Sequence, residues 1–210
     1  MRRSRTATEP SPASGYHHGD LREALVRAGV EILEEQGLAA LTLREVARRA
    51  NVSHAAPYHH FPNKEALLTA IAARGLRMQS EEMALAMANP KPSTDGLQSF
   101  GMAYVAFAAA HPSLFRLMYS HERTGPNATK ELADATASID VRFIEGIREK
   151  AKCSVEHARS IALLLWASMH GLAMLWLDGQ LQWEGAPPLE SLAFQVTELL
   201  GANLRPPSGA

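Results

Sequence analysis

Apolar residues recur at three- and four-residue intervals through most of the 210-residue chain, the spacing that places them on one face of a helix. Leu21, Leu25, Ala28 and Ile32 form the first such stripe, with Asp20 as its expected N-cap, Glu23 three residues on as in a capping box, and Gly37 as its stop. A shorter stripe of Leu43, Val46, Ala47 and Ala50 follows Thr42, which with Glu45 makes the T-x-x-E pattern of a second capping box. Asn51 suits the left-handed conformation that ends a helix, Val52 plugs the gap to the next one, and Ser53 is its expected N-cap. That next helix covers 54–60, with Pro57 at or just past its first turn and Phe61-Pro62 as its end. Two short helices joined by a tight turn, with a third following at once, predict a helix-turn-helix over 41–68.

Asn63 caps a longer helix that runs through Ile71, Ala72, Leu76, Met83 and Leu85 until Pro90 and Pro92 stop it. Larger apolar helices then follow. Leu97, Phe100, Tyr104 and Phe107 make one stripe, His111-Pro112 breaks it, and residues 114–119 make a short helix before a polar loop at 120–129. Leu132, Ile139, Phe143 and Ile147 set the next helix, 161–177 is apolar almost throughout, and Leu189, Leu192, Ala193, Val196, Leu199 and Leu200 set the last. The 161–177 run approaches the ~17-residue lower limit of a membrane span. Ser168, His170 and Gly171 interrupt it and Asp178 follows at once, so it reads as a helix buried on most sides against its own fold and a second subunit. No strand alternation or internal repeat competes with an all-α reading.

With 46% hydrophobic residues the chain has enough apolar surface for a real core, and its net charge of −1 excludes a protein that coats nucleic acid by charge alone. The sign differs along the chain. Residues 1–64 hold nine Lys or Arg against seven Asp or Glu, and the remainder twelve against fifteen. The single cysteine, Cys153, excludes an intramolecular disulfide framework and fits a reducing compartment; it reads as a small, partly buried residue. Residues 1–15 have no apolar periodicity and are expected to be a disordered arm, with Arg2, Arg3 and Arg5 either solvated or following DNA. No apolar segment follows those arginines, so no signal peptide is expected and the cytoplasm is the expected location.

The ordered set Thr42, Val46-Ala47, Ala50-Asn51-Val52-Ser53, Tyr58-His59-His60-Phe61 and Asn63-Lys64-Glu65-Ala66-Leu67 resembles the DNA-binding domain of TetR-type transcriptional regulators. Tyr16-His17-His18-Gly19-Asp20-Leu21-Arg22 also occurs at this place in that family, so the resemblance is continuous over 16–68. Asn51 stands where the family usually has Gly, and Pro57 where an aliphatic residue is commoner. In the second half, Trp166-x-x-x-His170-Gly171, with His111-Pro112 and Leu114-Phe115, resembles the C-terminal domain of a TetR subgroup named for its Trp-His-Gly signature.

The resemblance implies an N-terminal three-helix helix-turn-helix DNA-binding domain plus a C-terminal helical ligand-binding and dimerisation domain. Its divisions here are a basic arm at 1–15, the DNA-binding domain at 16–62, a connecting helix at 63–88, the ligand and dimer domain at 89–205 and a tail at 206–210. The expected DNA contacts are Thr42, Tyr58 and Lys64 on phosphates, His54, Ala55 and His59 toward bases, and Arg44 and Ser53 beside them. The expected partners are a double-stranded, roughly palindromic operator, a small-molecule effector, and a second copy bound through the last two helices, about 155–178 and 188–203. Motion of the connecting helix is expected to couple effector to operator, giving a repressor that a small apolar molecule releases.

Met102, Phe107, Phe115, Met118, Tyr119, Phe143, Trp166, Met169, His170 and Met174 are open to two readings, ordinary core or the lining of an apolar cavity with a few polar points. The resemblance favours the cavity. Other chemistry finds less support. The adjacent pairs His17-His18 and His59-His60 lack the i, i+4 spacing of two ligands on one helix face, so no metal is expected. Glu34-Glu35 and Glu81-Glu82 read as solvated faces rather than catalytic pairs, and no nucleophile elbow, phosphate loop or dinucleotide fingerprint occurs. No cofactor and no enzymatic activity are expected. Two competitors remain: a dimeric small-molecule binder that has lost DNA reading, and an enzyme using His170 in the cavity.

Overall fold

The computed structural model describes residues 18–120 and 129–202, and the described residues form eight α-helices and one 3-10 turn with no strand. The helices are α1 (His18–Gln36), α2 (Leu43–Arg49), α3 (Lys64–Ala88), α4 (Gly96–Ala110), α5 (Pro112–Met118), α6 (Lys130–Ala151), α7 (Val155–Leu177) and α8 (Leu189–Ala202); the 3-10 turn, Ala56–His59, lies between α2 and α3. The arm expected at 1–15, most of the loop at 120–129 and the tail at 206–210 lie outside the described residues.

Local side-chain chemistry sets most of these boundaries. Thr42 accepts the Glu45 N–H at 3.1 Å and starts α2, Asn63 accepts the Ala66 N–H at 2.9 Å and starts α3, and Ser154 does the same for His157 at the start of α7. Asp95 and Gln98 close a reciprocal capping box on α4. Asn51 adopts φ 55, so α2 ends in the left-handed conformation expected of it. That geometry gives a test: Asn51→Gly is expected to leave the unfolding midpoint almost unchanged, whereas Asn51→Val loses about 1–2 kcal/mol in a denaturant titration.

Three local expectations are corrected. The chain is already helical at His18, so Asp20 lies within α1 and not at its N-cap. Glu45 does not complete its capping box, because its carboxylate binds the Arg48 guanidinium at 2.6 and 2.8 Å. Ser53 caps nothing, and the segment expected as a helix over 54–60 is a 3-10 turn. The cause is Pro57. In an α-helix the Ser53 carbonyl would meet the N–H of residue 57, which proline lacks, so it accepts the Ala56 N–H at 3.0 Å and the segment winds with three-residue bonds.

The long helix α3 is the centre of the packing, touching α1, α4, α5 and α6, while α4 also lies against α7 and α8. One continuous cluster of buried residues runs from Leu25 and Phe61 through Ile71, Phe107 and Phe115 to Ala193, and a smaller one joins Ile147, Ala158, Ile161 and Leu165. α3 and α5 approach closely at Gly75, where a Cβ would come within 2.6 Å of Met118 Sδ and 2.9 Å of Leu114 Cδ1. α1 is tied to α5 as well, since Glu34 Oε1 accepts the Leu114 N–H at 2.8 Å. Among the described residues α7 alone is long and apolar enough to cross a membrane by length and composition.

Candidate DNA-reading surface and internal cavity

Thr42, Arg44, Ser53, His54, Ala55, Tyr58, His59 and Lys64 are all exposed, and they surround buried residues that hold the segment in place. Pro57 and Phe61 turn inward with Val46 and Ala47, so the 3-10 turn is pinned at two points while Tyr58, at 59% exposure, stands out between them. His60 packs beside Phe61, their ring centroids 6.4 Å apart, and the Arg22 guanidinium lies over the Phe61 ring at 5.4 Å from its centroid. The basic side chains of α2 are not equivalent. Arg48 is paired with Glu45 and Arg49 with Glu35 and Glu31, whereas Arg44 has no ion pair among the described residues. Lys64 donates to the Leu38 carbonyl at 3.2 Å, which brings its charge to the start of α3.

The second half contains a cavity of about 350 Å³ that is partly open to the surface. Its lining comes from α3 (Leu76, Gln79, Met83), α4 (Phe100, Gly101, Tyr104), α6 (Phe143), α7 (Trp166, Met169) and α8 (Thr197), with Tyr119 just past α5. Phe100 and Phe143 stack on each other at 4.3 Å between centroids and contribute apolar lining. The polar groups converge in one corner. Tyr104 Oη and His170 Nδ1 share a 2.8 Å hydrogen bond, and Tyr119 donates to Gln79 Oε1 at 2.8 Å. Burial, reinforced by the Tyr119 hydroxyl, pushes the Tyr104 phenol far above its ordinary range, with the Trp166 N–H acting the other way. Burial also lowers the pKa of His170, so its ring is held neutral.

Of the side chains expected at a cavity, Tyr119, Phe143, Trp166 and Met169 line it. Phe107, Phe115 and Met118 are instead fully enclosed in the core, and Met102 and Met174 pack against it from partly buried positions. His170 stands behind the lining and acts on it through Tyr104 and Phe115, whose ring it stacks on at 5.5 Å. The α3 residues were not anticipated. Their signal is visible afterwards: Gln79 sits three residues after Leu76 and four before Met83, a lone amide on a buried stripe. Among the described residues no cluster of three or more His, Cys, Asp or Glu is placed to hold a metal ion.

Residues 25–71 match the family model described as bacterial regulatory proteins of the tetR family, and residues 97–199 match the tetracyclin repressor-like C-terminal domain. The chain belongs to the TetR family. It is a DNA-binding transcriptional regulator of that family, with the helix-turn-helix in its first half and the helical C-terminal domain in its second. The HTH-type transcriptional regulator BetI of Rhizobium meliloti is 29% identical over 154 residues, covering 72% of this chain and 75% of the relative. The tetracycline repressor protein class C of Escherichia coli is 47% identical over 51 residues, only 24% of this chain and 23% of the repressor. A solved protein of unknown function from Rhodococcus sp. RHA1 superposes with a TM-score of 0.77 at 30% identity, covering 92% of this TetR-family chain and all of that one.

Proposed function

We propose that this TetR-family protein is a homodimeric repressor, released from a two-fold operator by a small, largely apolar molecule held in the cavity between α3, α4 and α7. The observation that carries the reading is the continuity of α3. It starts at the Asn63 cap beside the exposed reading residues and lines the cavity with Leu76, Gln79 and Met83, all within one 25-residue helix. A molecule that displaces α3 in the cavity therefore moves the reading unit as a lever, shifting the population between binding and non-binding dimers. In these terms 16–62 is the reading domain, 63–88 the connector and 89–205 the ligand and dimer domain.

The dimer rests on exposure. Leu163, Leu164, Trp166 and Leu175 on α7 and Leu199 on α8 are each more than 40% exposed, an apolar surface that two copies would cover with helices from each chain. Covered in this way, α7 is an apolar helix of a dimer seam, and the regulator acts in the cytoplasm with its DNA on this reading. A two-fold dimer reads a two-fold site. Thr42, Tyr58 and Lys64 contact phosphates, His54, Ala55 and His59 face bases, and Arg44 and Ser53 flank them; small side chains such as Ala55 have only the thymine methyl to read.

The test is selection of bound fragments from sheared source DNA, then a salt titration on the best site. A two-fold sequence whose affinity falls steeply with salt is expected, with Lys64→Ala reducing the slope of log affinity against log salt by about one unit per protomer. An unchanged slope would remove Lys64 from the phosphate contacts. No enrichment at low salt would overturn the operator reading.

A further inference from the structure

Gln79 is fully buried, lines the cavity, and has only half of its amide satisfied. Its Oε1 accepts the Tyr119 hydroxyl, while its Nε2, with two N–H groups, has no hydrogen-bond partner among the described residues. A buried primary amide left in this state is unfavourable, and such groups are almost always paired in folded proteins. The neighbouring polar atoms do not serve. The Tyr119 hydroxyl is on the carbonyl side of the amide, Tyr104 is bonded to His170, and Thr197 donates to its own helix at the Ala193 carbonyl. Of the other lining groups, the Gln98 amide oxygen already accepts the Asp95 N–H, and Leu76, Met83, Phe100 and Met169 offer no strong acceptor.

We infer that the effector carries a neutral hydrogen-bond acceptor, a carbonyl oxygen, on an apolar body, and that Gln79 Nε2 donates to it. Neutrality follows from the place: among the described residues the cationic lining groups are Lys150, already bonded to Asp95, and the exposed Arg159, so none of them is a buried cation that balances a carboxylate at the amide. Its apolar body follows from the lining, where Phe100 and Phe143 lie with Leu76, Met83 and Met169. Gln79 lies on α3 sixteen residues beyond the Asn63 cap, about 24 Å along the helix axis. The ligand's one directional bond is thus made to the helix that leads to the DNA-reading unit. This inference rests on the cavity being the effector site and adds the chemistry that the site selects.

The test uses the full chain and two probes of nearly equal shape, 2-acetylnaphthalene and 2-ethylnaphthalene, titrated calorimetrically into the wild type, Gln79→Leu and Gln79→Met. The ketone is expected to bind the wild type about tenfold more tightly than the hydrocarbon, and the ratio to fall to about one in both variants. Equal affinities in the wild type, as a trapped water on Nε2 would produce, overturn the inference while leaving the cavity as a binding site. A ratio that persists without the amide also overturns it. If neither probe binds, the cavity reading fails together with it. Two substitutions are used so that the comparison stands if one of them does not fold, and equal wild-type affinities overturn the inference without either.

Discussion

On the proposed dimer, glutamate at both Leu164 and Leu199 is expected to leave the chain monomeric and to weaken binding to a two-fold operator by at least about a hundredfold. The two leucines are 55% and 67% exposed, on α7 and α8, and neither lines the cavity. In a single chain, glutamate at such positions costs little, because the carboxylates stay in water. In a dimer the same positions meet a symmetric copy, so each substitution brings carboxylates into a dry interface with no cation to pair them. The loss for DNA follows from geometry. Two linked reading units bind two half-sites with a high effective concentration, and a monomer must hold one half-site alone. Sedimentation equilibrium reads the mass and fluorescence anisotropy the affinity. A variant that stays dimeric with unchanged operator affinity would show that the two copies meet elsewhere.

Truncating Phe115 to alanine is expected to lower the unfolding free energy by about 3–5 kcal/mol, a large share of the roughly 5–15 kcal/mol that holds such a domain folded. The ring is fully buried on α5 and is the hub of the aromatic group behind the cavity. It meets Tyr104 edge-on at 5.6 Å, Tyr119 at 4.8 Å and His170 in a stack at 5.5 Å. Removing it leaves a void among groups fixed by their own hydrogen bonds, Tyr104 to His170 and Tyr119 to Gln79, so the walls have little freedom to collapse. A urea titration reads the change as a lower midpoint at unchanged slope. A loss below about 1 kcal/mol would mean that the void closes and that these hydrogen bonds do not hold the walls.

The reading unit was legible because its determinants are local. Thr42, Asn51 and Asn63 act on backbone groups within three residues or on their own φ, and the structure has each in the expected role. Where a side chain had a choice of partners, local pattern was not enough. Glu45 has the backbone of its own helix start and the Arg48 guanidinium in reach, and the charged partner wins. Ser53 has capping chemistry, but the proline four residues later changes which N–H is offered to its carbonyl.

In the second half, the helices and their apolar faces follow from periodicity, and α3 runs over Lys64–Ala88 from its Asn63 cap. Periodicity assigns a residue to a buried face without saying whether a neighbouring helix fills the space opposite. Phe107, Phe115 and Met118 meet packed helices and become core, whereas Phe143, Trp166 and Met169 border empty volume. That difference is set by how α3, α4, α6, α7 and α8 lean against one another, through contacts between residues far apart in the chain. The same long-range packing placed Gln79 in the cavity with half its amide unpaired. Sequence alone determined an all-helical chain, its capped reading unit and its family, since these depend on short-range hydrogen bonds and residue order. Tertiary structure decided where the cavity lies and which polar group faces it, because a void is a property of helices that fail to touch.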